Sequence, residues 1–291
     1  MTIDPLSAGA HELVTGGLTQ RYHVHGQGDE VLVAVPGGPG VHWEYLRMPE
    51  VEQHVTVVHV EPVGTGGSGR LPAHPRGYTR EVYAEALDNL IDHLGRERVH
   101  LLGHSHGGFV AQYYAASRPS RLAGVILYDS SPVTGPEQGA ESMRQVEQFI
   151  ARNAGNPELP AVLEALQSVG SITDDTELTA ALRGLFPAYV ADYWKREPEF
   201  AALREQVSVT YIEADLVQDR ELLAGLTVPA LVLAGRYDVI CGERWAREIH
   251  SLVAGSRLVI LEESGHMGHI EEPAAFAAAV TGFVTRRHGV S

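Results

Sequence analysis

A chain of 291 residues, 44% hydrophobic and 20% charged, can bury enough surface to hold a core without disulfide or metal staples, and it is no disordered polymer. Acidic residues number 37 against 22 basic ones; a net charge of −15 repels phosphate backbones and argues against a nucleic-acid partner. The single cysteine, Cys241, excludes an intramolecular disulfide.

Residues 1–17 have neither the basic start nor the apolar stretch of a signal peptide. The longest apolar runs, such as Val31–Val35 and residues 125–128, are strand-sized and too short to span a bilayer. The expectation is a soluble, cytoplasmic protein with no membrane partner.

Residues 20–25 alternate as a strand, with His23 and His25 on what reads as an edge strand. Val31–Val35 is a buried strand ending at Pro36-Gly37-Gly38-Pro39-Gly40, and residues 55–60 form a third strand ending at Glu61-Pro62. Val82, Ala86, Leu87, Leu90, Ile91 and Leu94 recur at helical spacing and stop at Gly95, a natural C-terminal cap. Residues 99–102 read as a buried strand, followed by Gly103-His104-Ser105-His106-Gly107-Gly108 and a helix to about Ser117. After the strand Leu122–Tyr128 the pattern becomes helical, with Met143, Val146, Phe149 and Ile150 on one face. Strands resume at residues 230–233 and 258–261, and a last helix covers about 273–286. This alternation predicts an α/β fold with a mostly parallel sheet flanked by helices. The core comprises residues 1–132 and 207–291, and a helical cap inserted at 133–206 rides over the functional end.

Gly103-x-Ser105-x-Gly107, set between a buried strand and a helix, fits a nucleophile elbow. The small residues let neighbouring backbone approach a strained turn that lifts the serine hydroxyl above the sheet. A serine needs a base, and His266, on the loop after the strand 258–261, is the candidate, with His269 its rival. His104 and His106 flank the serine, and the turn is expected to point their side chains away. Asp238, on the loop after the strand 230–233, is the candidate acid; Asp129, after Leu122–Tyr128, is the alternative. For the oxyanion, proline lacks an N–H, so the donors within residues 36–39 are Gly37 and Gly38. Gly38 is preferred, with the N–H of His106 as second donor, and Gly37 is left to line the substrate site.

Gly64-Thr65-Gly66-Gly67-Ser68-Gly69 also satisfies G-x-G-x-x-G. Pro72 and Pro75 obstruct the helix a dinucleotide would need, so no such cofactor is expected. His42, His54 and His59 match no metal-ligand spacing, and no metal is expected either.

These segments resemble the α/β-hydrolase superfamily and, within it, the proline iminopeptidase family of serine aminopeptidases. The family's H-G-G-P-G loop matches residues 36–40 except that Pro36 stands first, and its G-x-S-x-G-G matches residues 103–108 throughout. Its D-x-R-G-x-G-x-S loop corresponds loosely to residues 61–68, beginning at Glu61, and Glu271-Glu272-Pro273 follows His266 much as in the family. The resemblance implies an α/β-hydrolase fold and a serine, acid and base at Ser105, Asp238 and His266. It further implies a substrate, peptide or small molecule, that loses an N-terminal aminoacyl group through an acyl-enzyme. The family holds the substrate amine with glutamates; Glu205 is the candidate here and Glu213 the fallback, with Val239 where a second glutamate often stands. A carboxylesterase, thioesterase or lactonase using the same three residues is the alternative. Phe186, Tyr189, Tyr193 and Trp194 either line the acyl pocket or belong to the core.

Overall fold

The computed structural model describes residues 4–286; the outermost positions of the expected core ranges, 1–3 and 287–291, lie outside the described residues. Strands β1 (Gly9–Thr15) and β2 (Leu18–His25) form a hairpin, followed by β3 (Val31–Val35), the short helix α1 (Pro49–Glu52) and β4 (Thr56–Val60). Then come α2 (Arg80–His93), β5 (Val99–His104), α3 (His106–Ser117) and β6 (Leu122–Tyr128). Before returning to the sheet, the chain builds α4 (Pro136–Arg152), α5 (Leu159–Ser168), α6 (Asp175–Tyr189) and α7 (Tyr193–Gln206). Helix α8 (Arg220–Ala224), β7 (Ala230–Gly235), α9 (Glu243–Leu252), β8 (Arg257–Leu261), α10 (Gly268–Glu271) and α11 (Pro273–Val284) complete the order.

The eight strands form one sheet in the order β1-β2-β4-β3-β5-β6-β7-β8. Pairs β1/β2 and β2/β4 are antiparallel and the others parallel, so the functional loops leave the same end of β3, β5, β6, β7 and β8. Side chains alternate between two apolar layers. Val33, Val35 and Leu101 face α2, α3 and α9, whereas Leu32, Ala34 and Leu102 face α1 and α11. Helix α2 starts where the Thr79 hydroxyl accepts the Val82 N–H at 3.3 Å and ends before Gly95, whose φ is +65°.

One expectation changes. β2 is not an edge strand: β1 pairs along it from Thr15 to Gly9, opposite residues 18–24 and so past His23, while β4 pairs with its other side. Only Leu13 of β1 is buried, so this strand has no apolar run to announce it. The segment between β6 and β7 also shares the sheet's core. Phe186, Tyr193 and Phe200 belong to the same apolar cluster as Leu32, Tyr128 and Leu231, so Phe186 and Tyr193 are core residues.

Candidate active site

β5 delivers Ser105 to the start of α3 with φ 53° and ψ −116°, a conformation rare for a residue with a side chain. A Cβ on Gly103 would strike the Gly107 carbonyl, and one on Gly107 would strike that of Val35, so the turn closes only with glycine at both positions. Ser105 faces a cavity of about 540 Å³ that His266, Gly37 and Gly38 also line. His266 stands on the loop after β8, and its Nδ1 lies 2.8 Å from Oδ2 of Asp238, on the loop after β7. The other Asp238 oxygen accepts the Ile240 N–H at 2.7 Å, and both side chains are buried. An imidazole so held donates from Nδ1, which leaves Nε2 as the proton acceptor.

The two candidate oxyanion donors differ from Gly37 in their bonding. The Gly37 N–H is taken by the Tyr45 hydroxyl at 2.6 Å. Gly38, at φ +123°, and His106, the first residue of α3, have N–H groups without a hydrogen bond among the described residues. The His106 ring turns away, as expected, against Tyr83 and Phe109, and burial lowers its pKa to about 4. His104 does not turn away. Its ring centroid lies 4.5 Å from that of His266; Nδ1 accepts the Tyr45 hydroxyl at 2.6 Å, and Nε2 donates to the His266 carbonyl at 3.0 Å. Burial keeps this ring neutral. Tyr45 and His104 thus connect the loop after β3 with the loop that carries His266.

His269, the rival base, is occupied elsewhere: Nδ1 accepts the Tyr128 hydroxyl at 3.0 Å and Nε2 donates to the Tyr45 carbonyl at 2.8 Å. Asp129 is buried at φ 44°, and its Oδ1 accepts the Gly235 N–H at 2.9 Å. Atoms of His104, Asp129 and His266 lie within 4.8 Å of one another, but both His104 nitrogens are already hydrogen bonded, a poor donor set for a cation. The loop at residues 64–69 folds back on the Glu61 carboxylate, which accepts the Gly67 N–H, and leads into no helix before Arg80.

Glu205 is misplaced as an amine ligand. It lies on α7 with its side chain 75% exposed, 3.8 Å from Arg183, and does not line the cavity. Glu213 does line it, half exposed and 4.0 Å from Arg76. Val239 packs in an apolar cluster with Val146 and Phe149, while its neighbour Ile240 reaches the cavity. Of the four aromatic residues in the insert, Tyr189 alone lines the cavity, and Trp194 stacks on Phe149. The sequence pattern also missed Tyr45 and the stretch 207–214, which supplies Val207, Val209, Tyr211 and Ile212 to the wall. Neither carries a motif, though the alternation of Val207, Val209 and Tyr211 with Ser208 and Thr210 is a usable signal.

The family model for the alpha/beta hydrolase fold matches residues 30–273. The chain belongs to the α/β-hydrolase family. A proline iminopeptidase of Heyndrickxia coagulans is 26% identical over 93% of this chain and 96% of its own. A 2-hydroxymuconate semialdehyde hydrolase of Pseudomonas sp. (strain CF600) is 27% identical over 94% and 93%. The crystal structure of a hydrolase from Pseudomonas aeruginosa PA01 superposes with a TM-score of 0.72 at 25% identity, covering 96% of this chain and all of that one (100%). The chain is therefore a hydrolase, and among its described residues no helix is long and apolar enough to cross a membrane.

In this α/β hydrolase the loop that carries His266 is tied to the helical insert. The Glu271 carboxylate accepts the N–H groups of Ala191 and Gly265 at 2.8 Å each and of Met267 at 3.3 Å, and the His266 N–H donates to the Tyr189 carbonyl at 2.7 Å. Burial outweighs these donors and pushes the Glu271 carboxyl up to about 7. The folded protein holds this proton more tightly than the unfolded chain does. The stability linked to it is therefore fully present below about pH 4.5 and is lost as pH rises through 7. Glu271→Gln, uncharged throughout, should remove that slope. Urea unfolding at pH 5.5 and 8.5 is expected to show wild type losing about 2 kcal/mol more than the variant. Equal losses would mean that Glu271 folds ionised.

Proposed function

We propose that this hydrolase removes an N-terminal aminoacyl group from a small amide or short peptide by way of an acyl-enzyme on Ser105. Ser105 Oγ attacks the carbonyl carbon as its proton passes to His266 Nε2, and Asp238 holds the resulting imidazolium. The N–H groups of Gly38 and His106 receive the oxyanion, each contributing about 3 kcal/mol to the transition state. His266 then protonates the leaving amine. It next takes a proton from the water that cleaves the acyl ester, returning Ser105 to its starting state.

One observation carries this reading. Ser105, His266 and the free N–H donor Gly38 meet at one cavity, with His106 next to Ser105 in the chain, and Glu213 is the carboxylate that lines the cavity. A carboxylate there can pair with a substrate ammonium, a charge-assisted bond of about 1.5–3 kcal/mol. The proline iminopeptidases among its relatives favour the same substrate class. Alanyl- and prolyl-p-nitroanilide should be cleaved, and acetylating their amine should stop cleavage. Glu213→Gln should raise KM about tenfold or more with little change in kcat. Cleavage of p-nitrophenyl esters alone would overturn the amine reading. That outcome would favour an ester, thioester or lactone substrate, which the aliphatic wall of Ile172, Leu178, Leu182 and Val209 also suits.

A further inference from the structure

β6 and β7 lie side by side, and each is followed by a buried aspartate. Asp238 has two hydrogen-bond donors, His266 Nδ1 and the Ile240 N–H, one on each oxygen. Asp129 has one donor, the Gly235 N–H on Oδ1; its Oδ2 is fully buried with no fixed partner. The Asp129 carboxyl lies within hydrogen-bonding reach of the Asp238 side chain, and one of its oxygens lies within 4.8 Å of ring nitrogens of His104 and His266. Two carboxylates this close, sealed from water, cannot both ionise, and the one with more donors keeps the charge.

We infer that Asp129 is a positioning residue: a neutral carboxylic acid whose proton on Oδ2 is donated to the Asp238 carboxylate, fixing the acid that orients His266. The inference rests on the triad proposed above. Oδ2 then has a use, and the orphaned buried atom becomes a donor beside an acceptor. The φ of 44° serves the same end, because the left-handed turn returns the carboxyl toward β7, and aspartate and asparagine tolerate it best. The titratable groups facing Asp129 are Asp238 and Cys241 from the loop after β7, His104 from β5, Tyr128 beside it on β6, His266 and Glu271 from the base loop, and Tyr45. None of them is a lysine or arginine. Burial and the Asp238 charge both push the Asp129 carboxyl well above the usual range.

The test is the pH dependence of Ser105 labelling by a fluorophosphonate, which needs no known substrate and reads the basicity of His266. Asp129→Asn keeps an oxygen for the Gly235 N–H and an amide donor for Asp238. Its acidic limb should stay where wild type has it, with a labelling rate reduced less than tenfold. Asp129→Ala removes the donor, so Asp238 presents more charge to His266; the limb should move to higher pH and the rate fall more than tenfold. A limb that moves to lower pH in Asp129→Asn would mean a negative charge had been lost, and the inference falls. Equal behaviour of the Asn and Ala variants, with melting temperatures matched, also overturns it. Failure of the triad itself reads differently: Asp238→Asn would then label at the wild-type rate.

Discussion

Ser105→Ala is expected to lower turnover by about 10³–10⁶-fold while the protein folds as before. The loss is large because the other groups at the cavity cannot take over the attack. Tyr45 is buried and bound to His104 and Gly37, and burial raises its pKa and that of Tyr189, so neither ionises near neutral pH. The residual rate would come from the Gly38 and His106 donors acting on bound substrate with water as nucleophile. Folding is spared because alanine keeps the Cβ that Ser105 already fits into the turn and introduces no new contact. Its stability should stay within about 0.5 kcal/mol of wild type. Steady-state kinetics with a thermal melt checks both halves, and full activity in the variant would remove Ser105 from the chemistry.

Asp238→Asn is expected to cost about 10³–10⁴-fold in kcat, through the wrong tautomer more than through lost charge alone. The Ile240 N–H fixes which end of an asparagine side chain goes where: its oxygen would stay at 2.7 Å from that donor. The amide nitrogen then faces His266 Nδ1, where Asp238 Oδ2 now sits at 2.8 Å. Two donors cannot face each other, so Nδ1 gives up its proton and Nε2 carries one, leaving no lone pair for the Ser105 proton. kcat for the Asn variant beside Asp129→Asn separates the two carboxyls. A larger loss in Asp129→Asn would make Asp129 the acid.

The parts of the fold that could be read directly are those where one physical demand fixes both sequence and geometry. β3 is buried on both faces and is continuously apolar; the turn at Ser105 closes only if Gly103 and Gly107 lack a Cβ; and Gly95 takes the positive φ that ends α2. β1 escaped because an edge strand with one buried residue leaves no pattern. His104 was misdirected although the strand period contained the answer: Leu102 and His104 share a face, and Leu102 faces the layer that holds the base loop. The choice of Glu205 failed for a different reason. Its helix reads as a solvated face, and only the return path of residues 207–214 decides which carboxylate reaches the cavity, which is a tertiary fact. Glu271 belongs to the same class, since its role depends on Ala191 arriving from another element.

The most direct test of a nucleophilic Ser105 is the mass of the intact protein after exposure to a fluorophosphonate, followed by peptide mapping. A single adduct on Ser105 in wild type, absent from Ser105→Ala, is the expected result. An unmodified wild-type protein, or an adduct on any other residue, would contradict it.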